Sequence, residues 1–434
     1  MHQVLTIIMA GGKGSRLLVL ADRRAKPALP FGGIYRIVDF PLSNAMRSGA
    51  RHLGIITQYR PYSLTDHVGL GEWWGFNRFG SKAKVLSPYT GEDDSTFYKG
   101  NADAVYQNIE FIERFPHVTE VLVLSGDHIY NMDYRPMLAL HRDSGAQLTL
   151  ATQAVPWEDT SRFGLVVADQ AGRVTAFQEK PKFNPLSNQA SLGIYIFDRQ
   201  ALIDALDADH DDPQSGHDFG GDIIPRLIER TTACQYEFKG YWRDVGTIRS
   251  YYDTSMEALD ARSGLDLQAW GVRTNHREIP LGSQRPLRLA GGAHVRNSLV
   301  SKGSLVEGEV VDSILSPGVH VCPGARLKGC VILHDTLVGK GCVLENAIVD
   351  KNCVIEAGAR VGDPDLGPEP NRLKPELLDQ GTTVVGKGVR LGRGARIGRN
   401  CLIYPGTVLN GAGPSTIESG MTCFQQVDGS PRVV

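Results

Sequence analysis

The densest chemistry in this chain comes early. The run Val4-Leu5-Thr6-Ile7-Ile8-Met9-Ala10-Gly11-Gly12-Lys13-Gly14-Ser15-Arg16 passes from an apolar stretch of strand length into three glycines within four residues. Glycine lets bare backbone N–H groups approach a phosphate where a Cβ would collide, so Gly11, Gly12, Gly14 and Ser15 form a candidate phosphate cradle. Arg16, Arg24 and Lys26 follow, three cations able to neutralise a polyphosphate. The run matches neither G-x-x-x-x-G-K-[ST] nor G-x-G-x-x-G, and a tight strand-to-helix turn would account for the glycines alone.

Two carboxylates stand out next. Asp127 follows the apolar run Val121-Leu122-Val123-Leu124, which puts it at the C-terminal edge of a strand, where α/β sheets bind ligands. Asp244 lies in the tight motif Arg243-Asp244-Val245-Gly246. Two such carboxylates could converge on one Mg²⁺, a hard ion that takes oxygen ligands, but on spacing alone a solvated turn aspartate is the better reading of each. Lys180 precedes Pro181, which drives it toward extended backbone and holds its side chain away from its own strand as a phosphate clamp. The alternative is a surface Glu-Lys-Pro turn. The histidines show no metal-binding spacing, His128 reads as a packing or orienting neighbour of Asp127, and Trp73 and Trp74 read as anchors.

These residues need a scaffold, and the first half supplies alternating apolar runs and helical patterns, which predict a Rossmann-like mixed, mostly parallel α/β sheet. Strands are expected at 4–9, 53–57, 121–124, 148–154, 165–168 and 192–197. Helices are expected at 41–48, 102–115, 133–144, 222–229 and 248–262, giving a catalytic domain over residues 1–262. Residues 263–292, rich in proline and glycine, read as a linker.

From 293 to 434 another rule governs the sequence. Val319, Ala325, Val331, Leu337, Val343, Val349, Ile355 and Val361 recur every six residues, a stride also seen at Leu299, Leu305 and Val311 and at Val385, Leu391, Ile397, Ile403 and Leu409. Six is neither a helical nor a two-residue period; it suits short strands that turn a corner after each repeat, as in a left-handed parallel β-helix. The polar stretch at about 362–383 interrupts it and is expected as a loop thrown out from the solenoid.

A net charge of -2 over 434 residues argues against a nucleic-acid or anionic-membrane partner. No apolar run is long enough to span a bilayer and no basic leader precedes the first strand, so a cytoplasmic location is expected. Seven cysteines without a C-x-x-C pair read as reduced thiols, six of them after residue 320.

The opening run, continued by Arg24-Ala25-Lys26-Pro27, resembles the sugar-1-phosphate nucleotidyltransferases, and among them the bacterial glucose-1-phosphate adenylyltransferases. The motifs Phe97-Tyr98-Lys99-Gly100-Asn101, Ser125-Gly126-Asp127-His128, Phe163-Gly164, Glu179-Lys180-Pro181, Ser191-Leu192-Gly193, His217-Asp218-Phe219-Gly220 and Trp242-Arg243-Asp244 follow in the family's order. The resemblance implies transfer of the adenylyl group of ATP to glucose 1-phosphate with Mg²⁺, in a homotetramer open to small-molecule allosteric effectors. It implies Arg16, Lys26 and Asp127 as catalytic, and Gly11, Gly12, Gly14, Ser15, Gln58 and Gly100 as nucleotide-binding. It also implies Tyr98, Gly164, Glu179, Lys180 and Ser191 as sugar-phosphate-binding, with Asp127 and Asp244 on the metal. Ser15, Phe97 and Asn101 depart from the family's usual residues, and Arg23 stands at an effector position where lysine is frequent. Another nucleotide or sugar phosphate, a non-catalytic regulatory subunit, and an acyltransferase activity of the β-helix are the competing readings.

Overall fold

A computed structural model describes residues 1–88, 97–277, 283, 285–409, 415–426 and 430–434. Its contacts divide the chain into two compact units: residues 1–12 with 38–242, and residues 13–37 with 243–434. No helix among the described residues is long and apolar enough to cross a membrane.

The first unit is built on a nine-stranded sheet. Its strands are β1 (Val4–Met9), β2 (His52–Ile56), β3 (Lys82–Leu86), β4 (Glu120–Ser125), β5 (Leu148–Ala154), β6 (Gly164–Ala168), β7 (Val174–Glu179), β8 (Gln189–Asp198) and β9 (Ala233–Glu237). The order is β7-β6-β8-β4-β1-β2-β3, with β5 pairing β8 and β9. β1 runs parallel to β2 and β4, whereas β8 runs antiparallel to β4 and β5. β1 and β4 sit at the centre, which is why both read as unbroken apolar runs: strands covered on both faces have no solvent side to mark with polar residues.

The expected helix over 102–115 is two, α1 (Asn101–Tyr106) and α2 (Ile109–Glu113). Asn108 breaks it. Its Nδ2 donates to Ala104 O at 2.9 Å and to the Tyr98 hydroxyl at 3.0 Å, the local competition for backbone acceptors that makes asparagine a poor helix-interior residue.

In the second unit three parallel sheets of short strands form the walls of the left-handed β-helix. Register shows the repeat: His320 pairs with Leu337 and Leu337 with Val354, a coil of seventeen residues rather than eighteen. The strict six-residue frame therefore slips. Ile332, Val338 and Leu344 are fully buried in the interior, while Leu337 is 36% exposed, and Val300 and Val306 point toward the interior in place of Leu299 and Leu305. Before the interruption one corner of the coil is a residue shorter, and there Asp312, Gly329 and Asn346 take positive φ; the coil from Leu305 to His320 is shorter still, at fifteen residues. A sharper turn demands left-handed backbone, which Gly, Asn and Asp adopt most readily. After the interruption the frame holds, with Val385, Leu391, Ile397, Ile403 and Leu409 all buried.

Most strands offer the interior one aliphatic residue, with a smaller interior residue two positions before it. Cys330, Cys342, Cys353 and Cys401 take the small position. Burial pushes the thiols of Cys330, Cys353 and Cys401 up to about 12, so these stay protonated packing groups. The segment at 362–383 is not thrown out from the solenoid. Asn371, wholly buried, donates to Asn400 O at 3.0 Å and Thr422 Oγ1 at 3.1 Å, and Asn400 Nδ2 answers to Glu369 O at 2.9 Å. Part of the expected linker is also packed, with Leu265 and Trp270 buried; Pro280 and Gly282 lie outside the described residues.

Candidate active site

In the sheet unit the candidate residues gather at the C-terminal ends of β1 and β4 and around β7 and β8. Gly126 N donates to Met9 O at 2.9 Å, which ties the turn bearing Asp127 to the end of β1. A Cβ on Gly126 would come within 2.8 Å of that same oxygen, so only glycine permits the approach. Asp127 is 29% exposed, accepts from Ser125 Oγ, and lies 3.5 Å from His128 Nε2. On the other side Gly193, at φ +64, forms a bulge in β8 against Ser125; its own Cβ would lie 3.0 Å from the serine Cβ. Ser191, just before the bulge, shares a 3.1 Å hydrogen bond with the Tyr195 hydroxyl, whose pKa burial raises.

Glu179 ends β7 with its carboxylate pressed against two glycines. A Cβ on Gly164 would sit 2.8 Å from Glu179 Oε2, and one on Gly220 closer still. Lys180, 60% exposed, donates to Glu179. Contrary to the expectation from Pro181, Lys180 is not extended: its φ is +41, and its N–H bonds Phe163 O at 3.1 Å. The ladder to Phe163 continues one residue past β7 while the chain must already turn into proline. Proline excludes the right-handed helical region for that turn, and the left-handed one is taken.

Gln58 packs its Cβ 3.4 Å from where a Gly11 Cβ would be and donates to Tyr98 O at 3.1 Å. The Tyr98 ring lies in the apolar core with its hydroxyl on Asn108, so this residue acts on its surroundings through its carbonyl. Gly100 precedes α1 and touches the His217 loop so closely that any Cβ would strike His217 O.

The second unit holds the cationic half. Gly14 has φ +64, and a Cβ there would lie 3.2 Å from Lys26 Cβ, so the turn brings Lys26 up against Gly14. Lys26 Nζ bonds Asp244 Oδ1 at 3.1 Å, both side chains nearly buried at 6% and 10% exposure. A Cβ on Gly246 would stand 2.9 Å from Asp244 Oδ1 and 3.1 Å from Arg16 Nη2. Arg16 and Asp244 thus flank one glycine and Lys26 joins them through Asp244, while Lys13, Ser15 and Arg16 remain exposed. Arg24 does not join them. Both contacts of its Nη2 are to the Asp350 carboxylate, at 2.9 Å, with the two side chains 4% and 1% exposed, so the expectation that Arg24 neutralises a polyphosphate is overturned.

The nucleotidyl transferase family profile matches residues 5–261, and a GlmU-like C-terminal hexapeptide profile matches 289–385. The chain is 44% identical to the glucose-1-phosphate adenylyltransferase of Thermomicrobium roseum over 97% of its own length and 98% of that protein's. It is 41% identical to the enzyme of that name from Thermotoga neapolitana, covering 97% and 98%, and 39% to that from Fervidobacterium nodosum, covering 95% and 99%. The chain belongs to the glucose-1-phosphate adenylyltransferase family. Within this nucleotidyltransferase, two residues matter that sequence reasoning noted without a role. Asn101 donates to Asp218 Oδ2 at 2.7 Å and accepts from Phe219 N at 2.6 Å, and Asp218 in turn accepts from Gly220 and Gly221. They hold the loop whose Gly220 backs Glu179. The signal was present in the Asp-Phe-Gly-Gly turn, but its partner 117 residues away was not.

Proposed function

We propose that the chain joins ATP and α-D-glucose 1-phosphate into ADP-glucose and pyrophosphate, supplying α-glucan synthesis. A phosphate oxygen of the sugar phosphate attacks the α-phosphorus; the bond from that phosphorus to the bridging oxygen breaks, and pyrophosphate leaves with the electron pair. The sugar phosphate is already largely dianionic at neutral pH, its second pKa being ~6, so no strong base is needed. The barrier is repulsion between anions, and the remedy is position and fixed positive charge.

The observation that carries this reading is the set Arg16, Lys26 and Asp244 within the second unit, Arg16 and Asp244 both against Gly246 and Lys26 bonded to Asp244. In this reading the N–H groups of Gly11, Gly12, Gly14 and Ser15 line the triphosphate, and Arg16 and Lys26 offset its charge. Gln58, held by Tyr98 O, meets the base, and Gly100 keeps that wall close. Lys180, steadied by Glu179 between Gly164 and Gly220, clamps the sugar phosphate, and Ser191 lines the same side. The family resemblance supports Asp127 and Asp244 as the residues that would hold Mg²⁺; each offers carboxylate oxygens of the hard type it takes, and Asp127 is partly open to solvent. Bound there, the ion supplies positive charge to the departing pyrophosphate oxygens.

We assign catalysis to residues 1–262, a linker to 263–292 and the β-helix to 293–434. The family resemblance supports a homotetramer, a cytoplasmic location and control by small-molecule effectors. The test is to incubate the purified protein with glucose 1-phosphate, Mg²⁺ and each nucleoside triphosphate in turn and to measure pyrophosphate. ATP should give the highest turnover; silence with ATP and turnover with UTP or dTTP would overturn the nucleotide assignment.

A further inference from the structure

Five of the six cysteines in the β-helix, Cys330, Cys342, Cys353, Cys401 and Cys423, belong to its buried core. Cys322 does not. In its strand Val319 and Val321 are the interior residues, which turns His320 and Cys322 to the outer face. In the preceding coil Val306 is interior, and Glu307 next to it lies outside. Glu307 N bonds Val321 O at 2.8 Å and Cys322 N bonds Val338 O at 2.9 Å, so Glu307, Cys322 and Gly339 occupy the same place in three successive coils. A carboxylate, a thiol and a position without a side chain therefore stand in a row, with His320 two residues along from the thiol.

The side chains converge. His320 Nε2 lies 3.0 Å from Glu307 Oε2 and 3.8 Å from Cys322 Sγ, and one donor atom from each of the three falls within 4.8 Å of the others. A tetrahedral zinc ion with Zn–N and Zn–O near ~2.1 Å and Zn–S near ~2.3 Å sets its ligands roughly 3.4–3.6 Å apart, between the 3.0 Å and 3.8 Å separations seen here, so small side-chain rotations suffice to close on the ion. We propose that Glu307, His320 and Cys322 bind a transition-metal dication of the zinc class, with water in the fourth position.

The donor set selects the metal. Thiolate and imidazole favour Zn²⁺ or Co²⁺ and disfavour Mg²⁺, so the site does not compete for the ion of the adenylyl-transfer reaction. On binding, the Cys322 thiol loses its proton to solvent, and its thiolate with the Glu307 carboxylate balances the two charges of the ion. His320 presents Nε2 to the metal and carries its proton on Nδ1. The charged groups facing the thiol are Glu307 and Lys340; the lysine opposes the ion and moderates its affinity. The ligands come from two neighbouring coils near the N-terminal end of the solenoid, where Leu287 and Leu289 are 39% and 55% exposed. A metal there clips the first coils together.

Co²⁺ added to the full-length protein tests the proposal. We expect one equivalent to produce intense four-coordinate visible bands and a near-ultraviolet thiolate-to-cobalt charge-transfer band, both displaced by Zn²⁺. Cys322→Ser should abolish the charge-transfer band, and His320→Asn should weaken binding at least tenfold, each with unchanged circular dichroism. Zn²⁺ should raise the melting temperature of the unsubstituted protein but not of Cys322→Ser, with Mg²⁺-dependent activity the same in both. Absence of a charge-transfer band, its survival in Cys322→Ser, or undiminished affinity in His320→Asn would overturn the assignment. The catalytic carboxylates have no thiolate and cannot imitate the signal.

Discussion

The adenylyltransferase domain and the β-helix both place residues other than glycine at positive φ, and the kinds of residue differ. Every such residue from position 297 onward, among those described, is Asn or Asp: Asn297, Asp312, Asp335, Asn346, Asn352 and Asn400. Before it the set includes Leu18, Arg60, Lys180 and His217. Asn and Asp adopt this conformation at little cost, so the solenoid chooses residues to suit its corners. Leu, Lys and His do not, and each such position costs on the order of 1 kcal/mol that neighbouring structure must offset. Lys180 is itself proposed to meet the sugar phosphate, while Leu18 follows Ser15 and Arg16 in sequence and His217 packs against Gly100. The β-helix relaxes its corners, while the other domain keeps strained backbone at or next to residues proposed to meet substrate.

That contrast can be broken at several points. The largest effect should follow Arg24→Ala, which leaves the Asp350 carboxylate buried without its guanidinium. A loss of roughly 3–5 kcal/mol is expected in urea unfolding, with the KM for ATP little changed, because this arginine serves the fold. A large KM increase in a fully folded variant would return Arg24 to the substrate. Asp127→Asn should do the reverse, lowering kcat by about 10²–10³-fold with unchanged melting temperature, the scale set by losing one preorganised electrostatic contact. Lys180→Ala should raise the KM for glucose 1-phosphate roughly 10–100-fold and leave that for ATP nearly unaltered, as removal of one charge-assisted contact worth ~1.5–3 kcal/mol would; equal shifts in both constants would remove it from the sugar phosphate.

Acidity sharpens the comparison from the side of stability. Burial holds the His141 pKa below the ordinary 6.5, with Glu120 and Asp198 opposing only in part. The folded state then binds fewer protons than the unfolded chain. Its contribution is complete above about pH 6.5 and is lost as pH falls toward the folded pKa, at up to about 1.4 kcal/mol per pH unit. His141→Gln should flatten that part of the stability-against-pH curve. The smallest expected effect is at a solenoid corner: Asn352→Gly should be close to neutral and Asn352→Ala should cost roughly 1 kcal/mol, both without change in kcat.

Much of this was legible in the sequence, for reasons that differ between the regions. β1 and β4 were readable because central strands carry uninterrupted apolar runs, and β5 was placed to the residue. The solenoid was recognisable by period but not in register. In the coils from His320 to Val354 the short corner removes one residue each, and a frame counted in sixes drifts from Leu344 and Val338 onto Val343 and Leu337. No composition rule marks that shortening, because Asp312, Gly329 and Asn346 are different residue types doing one backbone job. Glycines at 126, 193 and 220 are explained only by what would meet their Cβ positions, which lies far along the chain. For Arg24 the motif suggested a phosphate, and its partner 326 residues away decided otherwise.

The account's central claim is that the α-phosphorus of ATP is the atom transferred, and positional labelling tests it most directly. With glucose 1-phosphate, Mg²⁺ and the purified protein, ATP labelled at the α-phosphate should pass its label into ADP-glucose, and ATP labelled at the γ-phosphate should pass it only into pyrophosphate. Label from the γ-position in a sugar product, or none from the α-position, would contradict it.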